Sequence, residues 1–379
     1  MLDFLFAGLA GNRILMNQNS TTFAKLLSRC HNRQTWLKSS RLIALKRIKM
    51  KEMENTIFLD KDADLGVLKN KKVAIIGYGI QGRPQALCMR DSGLDLIIGV
   101  GDKTRPSWAA AEEDGFQPVT IAQATAAADL VYILLADPPQ PEIYYQSIHD
   151  NLKPNCTLAF CHGFNVLYGA IKPPDNVNVV LFVPNGPGHT VRLKYLDGSG
   201  IYGAISVEQD VTGNALEMVL ALAKSVGSLR VGSVGVTFQQ ETEGDNFEEQ
   251  VLYGGAIHLM KATFDTMVAG GYPPHFAYAK AIRSLRTVID VMDSVGIEEY
   301  ISRRSSRTCE FAVRTSGPRV INYDEIQKIF DETERGEFAA NWMQEWALGM
   351  PRLHRMRRTG ADSLMEETGR EWREKFGEG

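Results

Sequence analysis

Asp245 and Glu249 stand four residues apart in the stretch Glu241-Thr242-Glu243-Gly244-Asp245-Asn246-Phe247-Glu248-Glu249-Gln250, half of which is carboxylate. Residues four apart share one face of a helix. The apolar residues that follow at helical spacing (Val251, Leu252, Ala256, Leu259, Met260) predict such a helix. Carboxylates near a helix start are favoured by its positive end, and they are the oxygen ligands that a hard cation such as Mg2+ takes. Glu241, Glu243 and Glu248 read as a solvated face or as support behind the two ligands. His162, in Cys161-His162-Gly163-Phe164-Asn165, lies in a Gly-flanked loop after an apolar run, where the carboxyl edge of a sheet would place a site residue. His189 lies in a second Gly/Pro-rich loop, 184–189, and is a weaker candidate.

A second constellation is Gly77-Tyr78-Gly79-Ile80-Gln81-Gly82. It follows the short apolar strand 71–76 and opens a helical pattern at Ala86, Leu87 and Met89. In that βαβ context the glycines give a tight turn, close approach to a pyrophosphate and close helix–strand packing. The phosphates would sit on the helix N-terminus. Asp102, just past the second strand (94–100), can bond the 2′-hydroxyl of NAD, whereas Lys103, Arg105 and Ser107 suit the 2′-phosphate of NADP. The cofactor is therefore expected to be NAD(P), with a slight lean to NAD.

Strands at 71–76, 94–100, 130–135, 157–161, 178–183 and 201–207 alternate with helical segments and are nearly continuous in apolar character, which predicts a parallel sheet covered on both faces. After Val236 only helical periodicity remains, at 251–269, 277–294, 323–335 and 337–348. The expected division is a leader at 1–53, a Rossmann-type domain at 54–236, a helical domain at 237–360 and a tail at 361–379. The first fifty residues hold nine Lys/Arg and a single acid, Asp3. They read as a poorly ordered extension, dispensable for folding, or alternatively as an organelle transit peptide. A net charge of −3 gives no electrostatic reason to expect nucleic acid or an anionic membrane as partner. No apolar run reaches the roughly 18 residues a membrane span needs. Five cysteines without a C-x-x-C pair fit a reducing, cytoplasmic setting.

From about residue 54 to 360 the chain resembles the short form of ketol-acid reductoisomerase. The resemblance rests on Phe58-Leu59-Asp60-Lys61-Asp62-Ala63-Asp64-Leu65, on 77–82, on 161–165, on Gly186-Pro187-Gly188-His189 and on Ser316-Gly317-Pro318-Arg319. It implies an α/β fold, an N-terminal Rossmann-type parallel sheet followed by a knotted all-helical C-terminal domain. It also implies alkyl migration in a 2-hydroxy-3-keto acid, then hydride transfer from the nicotinamide, with two Mg2+ ions in the usual case. Asp245 would bridge the metals, Glu249 would bind one, His162 would lie near substrate and nicotinamide, Gly188 near the cofactor, and Ser306 at the substrate. A homodimer through the helical domain would complete each active site.

Three positions depart from the family together. Asn185 stands where the family has Lys, and Lys280 and Ser284 stand where it has two Glu residues. Asn185 offers a neutral hydrogen bond in place of a charged one. Lys280 would repel a second Mg2+, so one ion is expected, with two as the alternative. Its ammonium could stand in for the missing ion beside Asp245, or extend to solvent. Hydride transfer needs less of this machinery than migration does. The resulting expectation is an oxidoreductase of this descent working on another small dihydroxy or hydroxy-keto acid in specialised metabolism. Ring closure to a cyclopropanol from a sulfonium dihydroxy acid would be one such case. The alternatives are the ordinary ketol-acid reaction and a nucleotide-binding pseudoenzyme.

Overall fold

The computed structural model describes residues 53–377. The basic leader, and with it the expectation that residues 1–50 are dispensable, lies outside them. The sheet has nine strands: β1 Ile57–Phe58, β2 Lys72–Ile76, β3 Asp95–Val100, β4 Val119–Thr120, β5 Leu130–Ile133, β6 Thr157–Phe160, β7 Asn178–Pro184, β8 Gly203–Gln209 and β9 Ser233–Gly235. Their order across the sheet is β1-β9-β8-β7-β6-β5-β2-β3-β4. The run from β7 through β4 is parallel, as the apolar runs predict. β8 turns antiparallel to β7, and β1 closes the far edge antiparallel to β9, so that flank of the sheet is mixed.

Alternation along a central strand feeds two cores. Val73 and Ile75 of β2 pack into the core on one face, and Ala74 and Ile76 into the core on the other. All four residues of β5 and of β6 are buried, which a sheet covered on both faces requires. Chain direction across the sheet changes side at the junction of β2 with β5. The loops after β2, β5, β6 and β7 therefore emerge at one carboxyl edge and leave a crevice there.

The helical half begins at Phe238. A capping box sets its start: Thr237 Oγ1 accepts from the Gln240 N–H at 3.0 Å, and Gln240 Oε1 accepts from the Thr237 N–H at 3.0 Å. The helix runs through Phe247, widens into a π-helical stretch at Glu248–Tyr253 and continues as Gly254–Ala269. In this half Phe264, Ala277, Tyr278, Ala281 and Met365 form a small core, with Met260, Met267 and Trp372 against it. The expected tail at 361–379 is corrected by this packing. Leu364–Phe376 is a helix whose Met365 enters that core, because it supplies apolar cover that Tyr278 would otherwise lack.

Candidate active site

The nucleotide loop has the geometry its glycines require. Gly77 sits at φ +97°, a conformation that side chains rarely adopt. A Cβ on Gly82 would lie 2.1 Å from the Gly77 carbonyl oxygen, whereas one on Gly79 would meet nothing within 4 Å. The open space is where a pyrophosphate would approach. Gly79, Ile80 and Gln81 line the crevice. Tyr78 does not, because its ring is turned inward. Its hydroxyl donates to Asp114 Oδ2 at 2.7 Å, and Arg83 binds the same carboxylate through Nε at 2.7 Å and Nη2 at 3.0 Å. The 184–189 loop is fastened to this turn: Gln81 Nε2 donates to the Gly186 carbonyl at 3.0 Å, and a Cβ on Gly188 would lie 1.9 Å from the Ile80 carbonyl oxygen.

Deeper in the crevice, three sheet loops and the helix from Phe238 converge. His162 Nδ1 lies 3.0 Å from Asp137 Oδ2, and His162 Nε2 lies 3.5 Å from Asp245 Oδ2. Glu241 is buried behind them. Its Oε2 accepts from the Gly163 N–H and from the Thr242 hydroxyl, each at 3.3 Å, while its Oε1 has no hydrogen-bond partner. Gly163 permits this approach, since a Cβ there would lie 2.2 Å from Thr242 Oγ1. One ligand atom each from His162, Glu241 and Asp245 falls within 4.8 Å of the others.

The electrostatics follow from crowding four acidic or basic groups away from water. Burial pushes the Glu241 carboxyl up to about 7, with the neighbouring His162 pulling the other way. Burial also raises Asp245 and Glu249 above the ordinary carboxylate range. For His162 burial works downward, but the Asp137 hydrogen bond and the surrounding carboxylates outweigh it and lift the imidazole to about 9. Of the two readings of Glu241, a solvated face or support behind the ligands, its burial fits the second. Thr237 caps the helix so that Glu241 falls in its first turn and is directed under the His162 loop, a placement the acidic run alone does not reveal.

The crevice encloses about 1210 Å3, and His162, Asp245 and Glu249 share it with the nucleotide loop. Asn185 lies on one wall. Phe338, Trp342 and Leu353 form an apolar wall supplied by the C-terminal helices. Trp342 meets Trp346 edge-on at 6.3 Å and also faces the cleft. Two family profiles divide the chain where the structure does: the acetohydroxy acid isomeroreductase NADPH-binding domain over residues 67–232 and the ketol-acid reductoisomerase C-terminal domain over 238–378. The chain belongs to the ketol-acid reductoisomerase family.

Relatives named ketol-acid reductoisomerase (NADP(+)) include one from Methanopyrus kandleri, 41% identical over 85% of this chain and 98% of its own. Another, from Saccharopolyspora erythraea, is 43% identical over 85% and 97% respectively. A solved structure, the NADH-preferring ketol-acid reductoisomerase from an uncultured archean, superposes with a TM-score of 0.81 at 36% identity, covering 85% of this chain and all of its own. The fold is therefore a Rossmann-type domain joined to a helical ketol-acid reductoisomerase domain, and the chain is an NAD(P)-dependent oxidoreductase/isomerase of that type.

The site residues expected from the family separate into two groups. His162, Asn185, Asp245 and Glu249 are brought together in the cleft; Lys280, Ser284 and Ser306 are not among its lining residues. Lys280 holds its ammonium 5.4 Å from the Phe276 ring centroid. Ser284 Oγ donates to the Ala279 carbonyl at 3.2 Å, and Ser306 Oγ accepts from the Cys309 N–H at 3.1 Å as a helix cap. All three are exposed. Beyond β3, Asp102 curls back so that its Oδ1 accepts from the Thr104 N–H at 2.8 Å; Lys103 and Arg105 continue the same surface loop, and Ser107 lies in the first turn of the helix Pro106–Glu113. Asp137 went unmentioned in the sequence reading, although its signal was present: an acid two residues past the third predicted strand, on the edge that carries His162.

The residues present suit a divalent cation. Glu241 keeps a buried carboxylate oxygen without a donor, and Asp245 and Glu249 both line the crevice. The carboxylates beside His162 are oxygen donors of the kind Mg2+ takes. Among the described residues, no helix is long and apolar enough to cross a membrane.

Proposed function

We propose that this protein carries out the family's reaction on a small 2-hydroxy-3-keto acid, using a nicotinamide dinucleotide and Mg2+. The observation that carries the proposal is the meeting of His162 and Asp245, with Glu241 buried behind them, in the crevice that the nucleotide loop also lines. The reading is supported by relatives above 40% identity that bear the reductoisomerase name. Bound Mg2+ would polarise the substrate's hydroxyl and carbonyl oxygens. Asp245 and Glu249 would hold it, with Glu241 behind. In the migration the C2 hydroxyl gives up its proton as the alkyl group moves with its electron pair to C3, whose oxygen takes a proton up. Hydride then adds to the new C2 ketone, whose oxygen takes up a further proton to give the dihydroxy acid. His162, on the cleft wall and held by Asp137, would lie where it can take and return these protons, with the buried Glu241 behind it. Asn185 would orient the acid by a neutral hydrogen bond.

A second reading is favoured by Asn185 on the cleft wall, and by Lys280 and Ser284 at positions where carboxylates are expected. In it the hydride-transfer half is kept and the substrate is a different dihydroxy or hydroxy-keto acid. Acetolactate turnover separates the two. Conversion at ordinary family rates supports the first; failure with intact cofactor binding supports the second, and a screen of 2,3-dihydroxy and 2-hydroxy-3-keto acids then identifies the substrate. Magnesium titration by calorimetry counts the ions, for which one per site is the expectation. The lean to NAD rests on the Asp102 carboxylate just beyond β3, and a hundredfold NADPH preference in kcat/KM would overturn it.

The helical half supports a homodimer. In the sixteen residues of Gly254–Ala269 the buried side chain is Phe264, while Ile257 and Leu259 are about half exposed. Phe311, Val320 and Tyr323 are each more than 60% exposed. So much unpaired apolar surface fits an obligate interface. Such a dimer would give Lys280, Ser284 and Ser306 a route to the partner's cleft. A cytoplasmic location is the reading in keeping with the four free thiols of the described residues.

A further inference from the structure

We infer that Asp137 is the positioning residue for His162, fixing the imidazole so that Nε2 faces Asp245 and the reacting oxygens. The inference rests on the reading of His162 as a site residue. Asp137 Oδ2 is 3.0 Å from Nδ1, and the opposite ring nitrogen is 3.5 Å from Asp245 and has no hydrogen-bond partner. Of the two nitrogens, one is therefore committed to the protein and the other is left for chemistry. An imidazole on a loop has two rotatable bonds, and a carboxylate on Nδ1–H fixes both its orientation and which nitrogen keeps its proton.

Asp137 is itself held. The buried Asn165 donates from Nδ2 to the Asp137 carbonyl oxygen at 2.9 Å and to Gln140 Oε1 at 3.1 Å. Gln140 in turn donates from Nε2 to the Leu135 carbonyl at 3.1 Å. Asn165 follows His162 by three residues, so the loop after β6 braces the loop after β5 that orients its histidine. An acid that merely balanced charge would not need its backbone fastened in this way. Phe164, with its ring centroid 5.9 Å from that of His162, limits the imidazole from another side.

The test begins with a measurement that needs no substrate. Proton NMR of the full chain should show a downfield ring N–H protected from exchange, assigned by its loss in His162→Gln. It should persist, shifted, in Asp137→Asn, which keeps an oxygen for the ring, and vanish in Asp137→Ala. Persistence of the signal in Asp137→Ala overturns the proposal whatever the substrate proves to be, so failure of the proposed reaction and failure of this inference are told apart. With the acid that the enzyme turns over, Asp137→Ala should lower kcat by about ten- to a hundredfold, the scale of a misplaced site group. Its nicotinamide Kd should change by less than about twofold, since Asp137 is not part of the nucleotide loop. Asp137→Asn should recover most of kcat. Equal losses in both variants, or a loss confined to cofactor affinity, would contradict the positioning role.

Discussion

His162 Nε2 and Asp245 Oδ2 lie 3.5 Å apart, although 83 residues separate them in the chain. One sits on the loop after β6 and the other on the first helix of the C-terminal half. Their meeting is the seam where a nucleotide-binding sheet acquires a metal-suited wall, and its consequences can be measured.

Glu241→Gln should stabilise the metal-free protein while weakening its magnesium affinity. A buried carboxyl with an unpartnered oxygen is expensive, and the amide keeps an acceptor for the Gly163 N–H without a charge to desolvate. The gain should be about 1–3 kcal/mol in urea unfolding, the cost of one unsatisfied buried group. A Mg2+ titration of the same variant checks the other half.

Asp245→Asn should weaken Mg2+ binding at least tenfold, the scale seen when a metal site is disturbed. Cofactor affinity should be unchanged, because the nucleotide loop is held by Asp114 and Gly186 and not by Asp245. A chelator should likewise abolish turnover and leave NAD(P)H binding intact. Fluorescence titration of the reduced cofactor reads both.

Gly188→Ala should damage nucleotide binding and fold together. The new methyl would press on the Ile80 carbonyl, with no flexible side chain to yield. Overpacking of this kind costs roughly 1–3 kcal/mol, so both a lower Tm and a higher cofactor KM are expected. A variant with normal KM would show that the 184–189 loop does not shape the nucleotide turn.

Asp114→Asn should destabilise the protein by about 1–3 kcal/mol at neutral pH, through loss of a charge-assisted network. Burial acts upward on Asp114, but its bonds from Arg83 and Tyr78 prevail and hold it below its ordinary 3.8. A depressed carboxylate stabilises above its unfolded value and loses that contribution as pH falls through its folded one. The gap between wild type and variant should therefore be full at pH 7 and close below about pH 3.8, read from unfolding at each pH.

Much of this molecule was legible in one dimension. The β2 and β3 strands, Gly77, Gly79 and Gly82, and the change to helical texture near Thr237 are local patterns, and each appears within a residue or two of its expected place. His162, Asp245 and Glu249 were legible as chemistry because Gly-rich loops and i, i+4 carboxylates advertise themselves. The direction of the Tyr78 side chain was not legible, since motif membership says nothing of which way a side chain turns. Lys280, Ser284 and Ser306 carry family positions but not, within a single chain, the family's place in the cleft.

By itself the sequence determined the fold class, the cofactor type and the carboxylate pair, because periodicity, glycine conformation and helix spacing act over a few neighbouring residues. Only the tertiary structure decided that Glu241 is buried under the His162 loop, that Asp137 grips the imidazole and that a C-terminal helix completes the small core. Those facts depend on strand order and helix packing, which bring together residues whose separation along the chain carries no local signal.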